Sequence, residues 1–124
     1  MLIRERHYKL STAARLHQRA DSLFQVADYA VAGQFYARAA GTLTGREYRY
    51  TTRSDSLQAG LASFQEARCA ARLEQGNRAI IPGLQQALRL NPPLGDTLRA
   101  ETGRPGHDWG KLLDAPAFRE MVGK

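Results

Sequence analysis

A chain of 124 residues with 43% hydrophobic side chains has the size and composition of one globular domain, not of a disordered segment. No apolar run approaches the ~18 residues that a bilayer-spanning helix needs, and MLIRERHYKL lacks the apolar core of a secretory signal, so a membrane role is excluded. A lone Cys69 cannot form an internal disulfide, which leads to an expected cytoplasmic location.

The net charge is +6 and unevenly spread. Residues 1–53 carry nine Lys or Arg against four acids, whereas residues 54–124 carry nine against eight. Of the 18 basic residues 15 are Arg, the side chain suited to planar contacts with carboxylate or phosphate. An Arg- and Ala-rich composition is also what a GC-rich genome produces.

In chain order, residues 1–10 form a basic arm. Ser11 or Thr12 then caps a helix in which Leu16, Ala20, Leu23, Phe24 and Ala27 recur at intervals of three and four. The chain turns near Ala27–Asp28, and a second apolar face follows: Tyr29, Ala32, Phe35, Tyr36 and Ala39. Gly41–Gly45 reads as a helix exit, and REYRYTTRSD, residues 46–55, has no helical stripe. Ser54 or Asp55 caps a third helix running to about Gln75 on Leu57, Leu61, Phe64, Ala67 and Ala71, stopped by Gly76–Asn77. Pro82 suits the first turn of a short fourth helix, which Asn91–Pro93 ends. After the turn-rich ETGRPGHD, Asp108 and Asp114 head two brief helices carrying Trp109, Leu112, Leu113 and Phe118, Met121, Val122. The expectation is an all-α fold of antiparallel helix pairs with short C-terminal helices.

Residues 13–44 resemble a tetratricopeptide repeat. Asp28–Tyr29, Ala32, Tyr36 and Ala39 stand in order at that family's turn, small, aromatic and alanine positions. Leu16, Ala20 and the pair Leu23–Phe24 match its first helix. The departures are Ala27, where the family usually has glycine, and Thr44, where it usually has proline. Packing accounts for the pattern: Ala20 and Ala32 let two helices cross closely, while Phe24 and Tyr36 fill the wedge to the next pair. A degenerate second copy spans about 60–92, with ALRLNP resembling the repeat ending and Gly76–Asn77 the turn. In that copy Gly76 sits one residue too close to Ala87, and Ile80 replaces the small crossing residue. Residues 43–56 then read as an insertion and 104–124 as a C-terminal cap. The resemblance implies a non-enzymatic scaffold that binds a protein segment or a second copy of itself.

Its groove positions, carried over, are His17, Asp21, Phe24 and Gln25, followed by Gln65, Cys69 and Arg72. Asp21 would repel a terminal carboxylate, which argues against ligands of that kind. The alternative is RNA or DNA binding: Arg46, Arg49 and Arg53 interleave with Tyr48 and Tyr50, so arginine can meet phosphate while tyrosine stacks on a base. No catalytic residue, cofactor or metal is expected, because His17 and Asp21 share a helix face without a third ligand. Cys69 lies between Arg68 and Arg72, which would favour a thiolate, yet a buried, inert thiol is the simpler reading.

Overall fold

The computed structural model describes residues 2–44 and 53–123, with side chains described from Thr12 onward. The elements are α1 (Leu2–Gln25), α2 (Tyr29–Thr44), α3 (Arg53–Arg72), α4 (Asn77–Leu90), α5 (Leu94–Thr102), a 3-10 turn at Gly110–Leu112, and α6 (Pro116–Val122). No strand occurs among the described residues, and the fold is all-α. Each of the first four helices packs on the next, α1 on α2, α2 on α3 and α3 on α4. Neighbours run antiparallel: the Ser56 hydroxyl at the start of α3 donates to the Leu90 carbonyl at the end of α4.

Several boundaries differ from the sequence expectation. The helix α2 runs through Gly41 to Thr44, and α3 begins at Arg53, so Ser54 and Asp55 lie inside it and do not precede it as caps. The helix does not start at a Ser11 or Thr12 cap; α1 runs from Leu2, so residues 2–10 continue it and are not a separate arm. Nothing between Leu2 and Gln25 breaks a helix, since the stretch holds neither Gly nor Pro. Pro82 is inside α4, not in its first turn, because the helix begins at Asn77. The helix α5 has no counterpart in the sequence reading. Pro93 heads it in helical geometry, which its ring favours, and Leu94 and Leu98 bury beneath it.

The turns closing the two long helix pairs share one geometry. Ala27 and Asp28 donate backwards to the Phe24 and Leu23 carbonyls, and Glu74 and Gln75 do the same to Ala71 and Ala70. This double bond is the Schellman cap, which places its pivot residue in the left-handed region. The pivots are Ala27 at φ 63° and Glu74 at φ 58°, so the second turn centres on Glu74 and not on Gly76–Asn77. The backbone does at Ala27 what a glycine would do more cheaply.

Two apolar clusters make the core. Ala13, Ala20, Ala32, Tyr36, Ala39 and Leu43 lead the first, joined by Ala59, Ala62 and Cys69 from α3. Phe64, Ile80, Leu84 and Leu98 lead the second, where the C-terminal segment adds Trp109, Leu112, Phe118 and Val122. Ala20 of α1 and Ala32 of α2 are both fully buried. Gly60 is the closest approach of α3 to α4: a Cβ there would lie 2.5 Å from Asn91 Cβ.

Asp108 and Asp114 do not cap helices through their side chains, since neither the 3-10 turn nor α6 has a side-chain cap bond. Asp108 turns inward to α3 instead. Arg68 Nη1 meets Asp108 Oδ2 at 2.5 Å, and Arg68 Nη2 meets Glu101 Oε2 at 2.7 Å. Trp109 Nε1 donates to the other Glu101 oxygen at 2.9 Å, fixing the buried indole. Burial works against charge on Arg68, but the bonds from the two carboxylates outweigh it and its pKa rises. Glu101 is likewise opposed by burial, yet its bonds to Arg68 and Trp109 hold it below the usual carboxylate range. This network fastens the C-terminal segment to α3.

Candidate functional site

Between α1 and α3 runs a groove floored by α2. Its open part is a cavity of about 270 Å³ walled by Ala13, Ala14 and His17 of α1, Ala39 and Leu43 of α2, and Gln58 and Ala62 of α3. Small side chains keep the helices close beneath while leaving room above. At one end stands a polar group built on Tyr36, whose ring is fully buried. Its hydroxyl donates to Asp21 Oδ1 at 2.5 Å and is also hydrogen-bonded by the Gln65 side chain. The His17 ring sits edge-on to Tyr36 with centroids 5.2 Å apart, and its Nε2 lies 3.7 Å from Asp21 Oδ1. Burial and then the Asp21 carboxylate push the Tyr36 phenol well above its ordinary range, so the hydroxyl stays protonated and remains a donor.

Further along, the groove is closed from within. Arg72 lies over the Phe24 ring at 4.7 Å and the Tyr29 ring at 5.3 Å. Its guanidinium donates to the Tyr29 hydroxyl and to Asp108. Phe24 and Arg72 are therefore partners of each other, and Gln25 is exposed at the end of α1.

The structure thus gathers His17, Asp21, Phe24, Gln65 and Arg72 along one α1–α3 seam, but it divides their roles. His17 lines the cavity, Asp21 and Gln65 hold the Tyr36 hydroxyl, and Arg72 shuts the far end on Phe24. The register of α3 also shifts. The two pivots are 47 residues apart (74 minus 27), pairing Ala20 with Ala67 and Ala13 with Gly60. The second helices match at 48 residues, Ala32 with Ile80, Tyr36 with Leu84 and Ala39 with Ala87, all six buried. Gln65 and Arg72 stand 48 residues after His17 and Phe24, so each lies one position, about 100° of helix, from the residue that the pivots pair with its α1 partner. Their long side chains still reach the seam.

Ala13, Ala14, Gln58 and Ala62 were not singled out in the sequence. The available signal was spacing: Ala13 with His17, and Gln58 with Ala62, each lie four apart and share a helix face. A scan against protein-family models finds no match, and neither does a search of curated proteins or of solved structures.

The remaining candidates divide similarly. Cys69 is buried, and desolvation pushes its thiol up to about 11 in spite of Arg72 and Arg68. It is therefore a core thiol that stays protonated at neutral pH. Among the described residues no group of three His, Cys, Asp or Glu is arranged to hold a metal ion. Arg53 is exposed in the first turn of α3, whereas Arg46, Tyr48, Arg49 and Tyr50 lie outside the described residues. None of the described helices is long and apolar enough to cross a membrane.

Proposed function

We propose that this chain is a small, non-enzymatic, tetratricopeptide-like scaffold that holds a segment of another protein in the α1–α3 groove. One observation carries the reading: an open cavity walled by alanines, with His17 and Gln58 offering hydrogen bonds beside it. Small walls admit a partner's side chains without rearrangement, and a few polar groups fix its orientation. The inertness of Cys69 supports a binding role over nucleophilic chemistry. Buried Ala20 and Ala32 at the helix crossing, and the left-handed pivot at Ala27 where the family favours glycine, support the family resemblance.

The test is to load the mouth of the cavity. Ala14 is exposed, so Ala14→Trp fills the groove without disturbing the core. Affinity capture from the native host, read by mass spectrometry, is expected to lose a specific protein with this variant. Identical captured sets from wild type and variant overturn the reading. Light scattering at high concentration separates the self-pairing form of the hypothesis, which requires a dimer that Ala14→Trp dissociates. Salt-sensitive retention of RNA or DNA with no groove-dependent protein partner moves the assignment to the nucleic-acid alternative.

A further inference from the structure

On the opposite side of the molecule α2, α3 and α4 form a second and larger groove, a cavity of about 630 Å³. Much of its wall is small, with Ala30, Gly33 and Ala37 from α2, Ala70 from α3, and Ala79 and Gly83 from α4, beside the larger Tyr29 and Leu73. Among its described lining residues Glu66 is the single charged side chain. Among the described residues no arginine or lysine pairs with it. Elsewhere the half-buried carboxylates Glu101 and Asp108 both have guanidinium partners. Glu66 differs from them: a half-buried carboxylate facing an open groove with no counter-charge among the described residues.

Two further features of the walls fit one kind of visitor. Gln34, Gln75 and Gln86 add side-chain carbonyls along the groove. Pro82, also in the wall, has no N–H and so adds no backbone donor of its own. The groove therefore presents one carboxylate and several carboxamide acceptors over a surface rich in alanine and glycine.

We propose that the α2–α4 groove is a docking site for an arginine-bearing segment of a partner protein, with Glu66 as the counter-charge for its guanidinium. Arginine is favoured over lysine because its planar fork carries five donors for several acceptors at once. The aliphatic stem lies along the alanines and glycines, as such stems do on apolar surface. A segment is favoured over a free cation because a cavity of about 630 Å³ lined by three helices, from Tyr29 of α2 to Gln86 of α4, has room for more than one side chain. Burial alone raises the Glu66 carboxyl above its ordinary value, the response of a carboxylate that has lost water without gaining a partner.

The probe is a fluorescein-labelled, alanine-based helical peptide with one central arginine, compared with the same peptide carrying citrulline, a neutral isostere. Fluorescence anisotropy is expected to give the arginine peptide an affinity about tenfold higher, the difference between a charge-assisted and a neutral hydrogen-bonded contact. Glu66→Gln is expected to erase that difference, and Ala30→Trp, at an exposed wall position, to abolish binding of both peptides. Thermal melting verifies that both variants are folded, and backbone amide shifts are expected to map the peptide to α2 and α4. Equal binding of the two peptides, or an arginine preference that survives Glu66→Gln, overturns the proposal. So does a dimer that Glu66→Gln dissociates, because the occupant is then a second copy of this chain. The α1–α3 variant Ala14→Trp leaves this binding intact if the two grooves are separate sites, so failure here is distinguishable from failure of the scaffold reading.

Discussion

The two long helix pairs are closed by the same turn but filled in different ways. Around α1 and α2 the core consists mostly of alanines, with one tyrosine and one leucine fully inside. Around α3 and α4 it consists of Phe64, Ile80 and Leu84, and the C-terminal segment adds Trp109, Leu112 and Phe118. Alanine cores bring backbones close and leave shallow grooves above; bulky cores fill their own wedge. Both pairs contribute walls to the grooves, α2 and α3 to each of them, but the second pair, sealed by α5, α6 and the Arg68–Glu101–Asp108 network, supplies much of the packed mass. The lesson is that two halves joined by the same turn geometry share the groove walls but differ in how much bulk their cores carry.

The sharpest way to break that comparison is to hollow the second half. Trp109→Ala removes a fully buried indole and is expected to cost about 3–5 kcal/mol in urea unfolding. A loss below about 1 kcal/mol would mean that the C-terminal segment is not part of the cooperative unit.

Gly60→Ala tests the closest approach of α3 to α4. The new methyl would stand 2.9 Å from the Ala87 carbonyl oxygen and the Asn91 nitrogen, atoms of backbone that cannot swing aside. Destabilisation of about 1–3 kcal/mol is expected. At the matching place in the first pair Ala13 already carries that methyl and is buried, which makes the contrast a direct comparison of the two halves.

The turns should respond alike. Ala27→Gly and Glu74→Gly each relieve a side chain at positive φ, and each is expected to raise stability by up to about 1 kcal/mol, since the relief exceeds the entropy that glycine adds to the unfolded chain. A lowered melting temperature for both would contradict the Schellman geometry assigned to them.

Two carboxylates provide the smallest and most specific test, because their signs are opposite. Glu101 is held low in the folded state, so its contribution is complete above the ordinary carboxylate pKa and disappears as pH falls through the folded value. Glu66 is held high, so the folded state favours its protonated form and stability declines as pH rises from the ordinary value through the folded one. Glu66→Gln is accordingly expected to stabilise the protein at neutral pH, and Glu101→Gln to destabilise it while flattening the acid limb. Melting curves between pH 3 and 8 read both, and like-signed slopes for the two variants would contradict the assignment.

Much of the fold was legible in the sequence. Spacings of three and four located the first four helices, and Ala20, Ala32, Tyr36, Phe64 and Ala87 are buried as those faces require. Leu61, 37% exposed in the apolar stripe of α3, is an exception, as are Ala27 in its turn and Leu113 near the C-terminus. The α5 helix escaped because nine residues make too short a window for periodicity, and its proline start follows a proline stop. The groove was located only in part: His17 was found, whereas Gln58 and Ala62 appear ordinary until α3 is set against α1.

The sequence by itself determined the helical class, the helix pairing by short turns and most of the buried faces, because these depend on contacts between neighbours along the chain. Tertiary structure alone decided the register of α3, the inward turn of Asp108 and the isolation of Glu66. Each depends on which groups from distant segments meet, and on whether a charge finds a partner when it leaves water. Local pattern is silent on that.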